Sequence, residues 1–230
     1  MTRALMAGLV AIAALLAAAP APAATNECRG LNPCAPIAGP WVVVPTARSL
    51  PRPQVQWQLT CPRGYVVGGV DVELSDRAID VSFLGSSGSP VSPGVTTSRS
   101  VVFVGTYVGG RTAMPPTFRP HAGCVPARGG GTRTPTGVTA VFPPGEPTVR
   151  RVVTERVTRI RTIVAACRAG ERLVAWFSAR GFLVKTPPSA ALVRGVTVSG
   201  GARGDRVVVI ARGRVGVVVQ VSVVCAVGSE

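Results

Sequence analysis

Period-two alternation of apolar and polar residues dominates this chain. Val55, Trp57, Leu59 and Cys61 alternate with Gln54, Gln56, Gln58 and Thr60. Val70, Val72 and Leu74 alternate with Asp71, Glu73 and Ser75. Near the end, Val215, Val217, Val219, Val221, Val223 and Cys225 recur on every second position. Successive side chains of a strand point to opposite faces, so each stretch predicts a strand with one buried and one wet face. No helix is predicted after residue 24.

The strands recur in a pattern of their own. Cys61-Pro62-Arg63-Gly64-Tyr65-Val66-Val67 and Cys167-Arg168-Ala169-Gly170-Glu171-Arg172-Leu173-Val174 both read as a cysteine, a glycine turn and an apolar run. Phe83-Leu84 matches Phe182-Leu183, Gly94-Val95-Thr96 matches Gly195-Val196-Thr197, and Val101 to Val104 matches Val207 to Ile210. Each unit closes on a cysteine, Cys124 and then Cys225. The separations of these landmarks agree within a few residues, the mark of an internal repeat. It predicts an all-β fold of two tandem, related antiparallel β-sandwich or barrel-like domains, residues 25–125 and 148–230. A Gly/Pro/Thr-rich linker, residues 126–147, joins them, with a short strand candidate at Val138 to Phe142.

The first 24 residues have a different character. A basic start, Met1-Thr2-Arg3, precedes an uncharged run from Ala4 to Ala19, and Ala21-Pro22-Ala23 supplies a small-residue cleavage pattern. These parts in this order predict a signal peptide cut after Ala23 or Ala24. The apolar run is shorter than the ~20 residues that span a bilayer. Downstream, Val207 to Val227 is apolar but broken by Arg212, Arg214, Gln220 and Ser222, and charges at membrane depth are costly. The expectation is a secreted or otherwise extracytoplasmic protein without a membrane span.

Export gives the six cysteines a meaning: in an oxidising compartment they form three disulfides. In both units the cysteine falls on the apolar face of its strand, which predicts Cys61–Cys124 and Cys167–Cys225. Cys28–Cys34 follows by elimination. Closing a loop of ~60 residues contributes about 4 kcal/mol in the chain-entropy model, useful to a chain with only 5% aromatic residues. Zinc needs clustered Cys and His, and His121 is the one histidine. No cofactor is expected.

Charge is distributed unevenly. The formal net charge is +15, carried by arginine almost alone. Residues 25–125 hold eight arginines against five acids, whereas residues 126–230 hold sixteen basic residues against five acids. Arg150, Arg151, Arg156, Arg159 and Arg161 cluster with Glu155 as the nearby acid. Such a ridge suits a polyanion, and outside the cell that means an anionic envelope polymer rather than nucleic acid. A charged edge strand guarding against aggregation reads the same way.

Catalytic candidates are sparse. His121 sits between Pro120 and Gly123 and reads as a surface histidine near a strand end. Asp71, Glu73, Asp76 and Asp80 lie within ten residues, which allows a calcium site or a paired-carboxylate glycosidase site, and also a solvated strand face. Arg203-Gly204-Asp205 spells an adhesion tripeptide but reads as a hairpin turn. The expectation is a non-catalytic binding or structural module of the cell exterior, with an envelope polymer or extracellular protein as partner. The alternatives are an enzyme inhibitor presenting Cys28–Cys34 or Gly85–Gly94 as its loop, and a glycan-acting enzyme.

Overall fold

A computed structural model describes residues 25–47, 49–85, 99–127, 148–213 and 216–227. The expected signal peptide (residues 1–24), most of the linker with its strand candidate, the Gly85–Gly94 loop and Val215 fall wholly or largely outside the described residues. Strand accounts for 61% of what is described and helix for 3%, so the cores must be built by sheets packing on sheets. In the first half the strands are β1 (Ala35–Ala38), β2 (Trp41–Val43), β3 (Gln54–Thr60), β4 (Tyr65–Leu74), β5 (Ile79–Gly85), β6 (Ser100–Tyr107) and β7 (Thr117–Pro126). In the second they are β8 (Thr148–Val157), β9 (Ile160–Ala166), β10 (Glu171–Phe182), β11 (Thr197–Arg203), β12 (Arg206–Arg212) and β13 (Val217–Val227). One short helix not foreseen in the sequence, α1 (Ala190–Arg194), starts where Ser189 Oγ accepts a hydrogen bond from Leu192 N at 3.3 Å, an N-cap following two prolines.

All pairings are antiparallel. In each half, one three-stranded sheet lies apart, β3-β6-β5 and β9-β12-β11 in that order, while the remaining strands join a seven-stranded sheet. In that sheet β1 and β2 follow one another along one edge of β7, β4 lines its other edge, and the order continues β2-β10-β13-β8. Gly181 of β10 makes the junction possible: a Cβ there would lie 2.4 Å from Pro40 Cγ. The two halves therefore share a sheet, which the tandem-domain expectation did not include.

The shared sheet is a wall between two cores. Val42 and Val44 pack in the first core with Trp57, Phe103 and Phe118, and Val43 faces the second. Along β13, Val217, Val219, Val221 and Val223 fill the second core with Phe182 and Val209, while Val218 reaches the first. The positions expected to be wet on β13 are buried, Gln220 at 5% exposure and Ser222 at 3%. Gln220 survives burial because its amide meets a partner's backbone: Gln58 N donates to its Oε1 at 2.7 Å, and its Nε2 donates to Gln58 O at 3.1 Å. The middle of the polar face of β3, also expected to be wet, is thus covered: Gln56 is 8% exposed and Gln58 half-buried, while Gln54 and Thr60 stay exposed.

Both halves run their chain along the same path. Each begins its β4 or β10 after a turn with a positive-φ glycine, Gly64 or Gly170, both at +81°. In that turn Tyr65 N donates to Pro62 O, and Glu171 N donates to Arg168 O, each at 3.1 Å. Each strand then slips register just past the residue paired with a cysteine, between Val67 and Gly69 and between Leu173 and Ala175. The disulfides Cys61–Cys124 and Cys167–Cys225 span matching strands, and Cys28–Cys34 closes the N-terminal loop. No helix among the described residues is long and apolar enough to cross a membrane.

Candidate functional site

Strand parity divides the arginine cluster. Adjacent residues of β8 point to opposite faces, so Arg150 and Arg151 part company. Arg150 faces the first half, donating to Ser222 Oγ at 3.0 Å and to Gln56 Oε1 at 2.7 Å. Its guanidinium carbon stands 5.3 Å from the ring centre of Phe177, a cation–π distance, and burial pulls its pKa below the usual arginine value. Arg151 grips Glu171 with both terminal nitrogens, at 2.6 and 2.7 Å. The Arg151 hydrogen bond, with a second from Arg168 N, holds the Glu171 carboxyl below its ordinary range. Both arginines are therefore structural struts.

The other three point outward. Arg156, Arg159 and Arg161 are all exposed. Arg161 lies 3.8 Å from Glu155, with side chains 62% and 40% exposed, and such pairs contribute little. Arg159, in the turn between β8 and β9, shares a surface cavity of about 430 Å³ with Ile160, Thr197, Gly213 and Arg212. Register brings Arg212 here, since it pairs with Ile160 across β12 and β9. Sequence reasoning missed Arg212, although its place on the outward parity of β12 was a usable signal.

The acidic cluster is dispersed by the fold. Asp71 and Glu73 share one face of β4, opposite His121 and Arg119 of β7. Asp71 Oδ2 accepts from Asn26 N at 2.6 Å. Asp76 sits in the following turn, where Oδ1 accepts from Ala78 N at 2.8 Å and Oδ2 from the Tyr107 hydroxyl at 3.2 Å. Burial first, and then this carboxylate, raise the Tyr107 pKa. Asp80 lies exposed on β5, in another sheet. Among the described residues, the one group of three ligand-type side chains close enough for a metal is Cys167, Glu171 and Cys225, and those cysteines are bonded to each other.

His121 is not on the surface. It is 6% exposed and lies within β7 under the N-terminal disulfide loop. Nε2 is 2.9 Å from Glu73 Oε1, though not aligned as a hydrogen bond, and Nδ1 is 3.8 Å from Glu27 Oε1. Glu27 is itself 5% exposed. Two glycines paired across β4 and β7, Gly69 and Gly123, let the loop settle there. A Cβ on either would lie 2.1 or 2.2 Å from the Glu27 carbonyl oxygen. Neighbouring Pro120 and Gly123 suggested a strand end, but Pro120 stands within β7 where β1 and β2 are interrupted, and its carbonyl accepts from Gly39 N at 2.8 Å.

Arg203-Gly204-Asp205 forms the β11–β12 hairpin turn as expected, with Gly204 at φ +62°. The Asp205 carbonyl accepts from Cys167 N at 2.9 Å, tying the turn to a disulfide.

The described chain is a disulfide-stabilised all-β protein. No protein-family model matches it, and no curated protein matches it.

Proposed function

We propose that this chain is an exported, non-catalytic binding protein of the cell exterior whose second half takes an anionic envelope polymer. The observation that carries the reading is the joint exposure of Arg156, Arg159 and Arg161, in a half where basic residues far outnumber acids. Three disulfides fit an oxidising, extracytoplasmic setting, and residues 1–24 have the pattern of an export signal. The non-catalytic reading is supported by the burial of His121 and Glu27 under the N-terminal loop. A duplication of one β-sandwich unit accounts for the shared turn, register slip and disulfide of the two halves.

The test is binding of the purified, oxidised protein to polyglutamate across a salt series. Affinity falls steeply with salt, because counterions screen and are released. R156Q/R159Q/R161Q lowers low-salt affinity by about tenfold, as loss of ~1.4 kcal/mol shared over three exposed charges implies. Equal binding by the variant and the parent protein sinks the reading.

A further inference from the structure

We propose that the outer face of the β9-β12-β11 sheet lies on the surface of an anionic lipid bilayer, an inference that goes beyond the polymer reading above because it uses Arg203, Arg206 and Arg212 rather than Arg156, Arg159 and Arg161. Register places Ile160, Thr162 and Val164 of β9 beside Arg212, Ile210 and Val208 of β12. Ile160 is 66% exposed, Val164 49% and Ile210 40%. The exposed pair Arg203 and Arg206 closes one end of this apolar strip, and exposed Arg212 closes the other. No ion pair among the described residues includes any of these three arginines. Asp205, in the turn beside Arg206, is the acid nearest in sequence.

The matching edge strand of the first half shows that an apolar β9 is not a requirement of the fold, although the central strands β6 and β12 are apolar in both halves. There β3 takes the place of β9, with Gln54, Gln56 and Gln58 standing where β9 has Ile160, Thr162 and Val164, counted from Cys61 and Cys167. β3 is covered by the second half through Gln58–Gln220 and Gln56–Arg150, while β9 is open. Burial ordinarily goes with apolar side chains. Here the covered middle of β3 carries Gln56 and Gln58, with Gln54 exposed at its start, and the uncovered β9 carries isoleucine and valine. An exposed apolar patch rimmed by polar groups marks an interaction surface.

Size and charge choose the occupant. Three strands ~4.8 Å apart and seven residues of ~3.4 Å give a face of roughly 14 by 24 Å, or about 340 Å². A stable protein interface needs about 800 Å² on each partner, so this face alone does not hold a second copy, and its arginines would repel one. A bilayer needs no complementary shape. Aliphatic side chains enter the headgroup boundary while arginines at both ends meet anionic lipid. Gly201, where an added Cβ would meet nothing within 4 Å, keeps the face flat.

The experiment is co-sedimentation of the full oxidised chain with vesicles of phosphatidylcholine and phosphatidylglycerol, with phosphatidylcholine vesicles and soluble polyglutamate as the other arms. The parent protein binds the mixed vesicles and polyglutamate but not phosphatidylcholine alone. I160S/V164S/I210S, whose sites are exposed and whose fold is checked by circular dichroism, loses vesicle affinity by about tenfold and keeps polyglutamate binding. R203Q/R206Q/R212Q loses vesicle binding as well. Vesicle binding that survives the triple serine variant overturns the proposal, as does a dimer in solution that this variant abolishes. Polyglutamate binding without vesicle binding overturns the lipid surface and leaves the anion-binding reading standing. Binding to neither removes both.

Discussion

Replacing Gly123 by alanine probes how the N-terminal loop is held. The new Cβ falls 2.2 Å from the Glu27 carbonyl oxygen and 2.8 Å from Cys34 Sγ. Ordinary non-bonded contacts begin near 3.5 Å, so the carbonyl must retreat by about 1 Å. It belongs to backbone next to the Cys28–Cys34 bridge, so the loop moves as a unit and draws Glu27 away from His121. Overpacking of this kind costs about 1–3 kcal/mol, and alanine regains about 0.5 kcal/mol because glycine is a poor strand residue. The net expectation is a loss of about 2 kcal/mol, read as a lower urea midpoint with unchanged slope. Gly201→Ala is the control, since nothing lies within 4 Å of its Cβ, and its midpoint stays level or rises. A double-mutant cycle with Glu27→Ala decides the mechanism. Once the loop has lifted, removing the Glu27 side chain finds little left to break, so the two costs fall short of adding by about 1 kcal/mol. Additive costs, or a Gly123→Ala midpoint equal to that of Gly201→Ala, refute the account.

Two further outcomes follow from the bridges and the ion pairs. C167A/C225A opens a loop of separation 58 and costs about 4 kcal/mol in the chain-entropy model, whereas C28A/C34A, at separation 6, costs about 2 kcal/mol. Because the halves share a sheet, the larger loss shifts a single urea transition, and two separated transitions would contradict the shared wall. Glu171→Gln tests the Arg151 contact through pH. The folded carboxyl titrates below its ordinary 4.5, so its stabilisation is present above that value and is lost as pH falls through the lowered one. The stability gap between parent and variant is full at neutral pH and closes in acid, and a gap independent of pH counts against the contact.

Alternation made the inward faces legible, because Val55, Trp57 and Leu59 have to leave water whichever sheet they join. The disulfide pairing was legible too, since matching landmarks placed each cysteine at matching points of two units. The outward faces were not legible, because alternation treats one strand at a time and assigns the polar side to solvent. Gln56, Gln58, Gln220 and Ser222 all lie on that side and are covered or half-covered, because the two halves supply hydrogen-bond partners to one another across the interface. A signal did exist: Val101-Val102-Phe103-Val104 and Val217-Val218-Val219 are continuous apolar runs, as strands buried on both faces require. His121 was misread because its cover comes from residues 25–34, remote in sequence. The arginine cluster was partly misread because closeness along a strand separates neighbours instead of uniting them.

The two halves follow one path and end differently, and the difference bears on function. Each half presents a seven-stranded-sheet face and a three-stranded-sheet face. Where the halves meet, β3 of the first lies against β8 and β13 of the second, and glutamines and Arg150 satisfy one another across the contact. Two outer faces remain. On the first, paired glycines admit the N-terminal loop, which brings Glu27 to His121 and closes that end. On the second, no described segment takes the corresponding place, and β9 offers Ile160 and Val164 where the covered strand offers glutamine. Capped ends are usual in stacked units because an open apolar end invites association. Arginines at both ends of the open face discourage self-association by their like charge, which is why this end, rather than the acids of β4, is the surface proposed for an anionic partner.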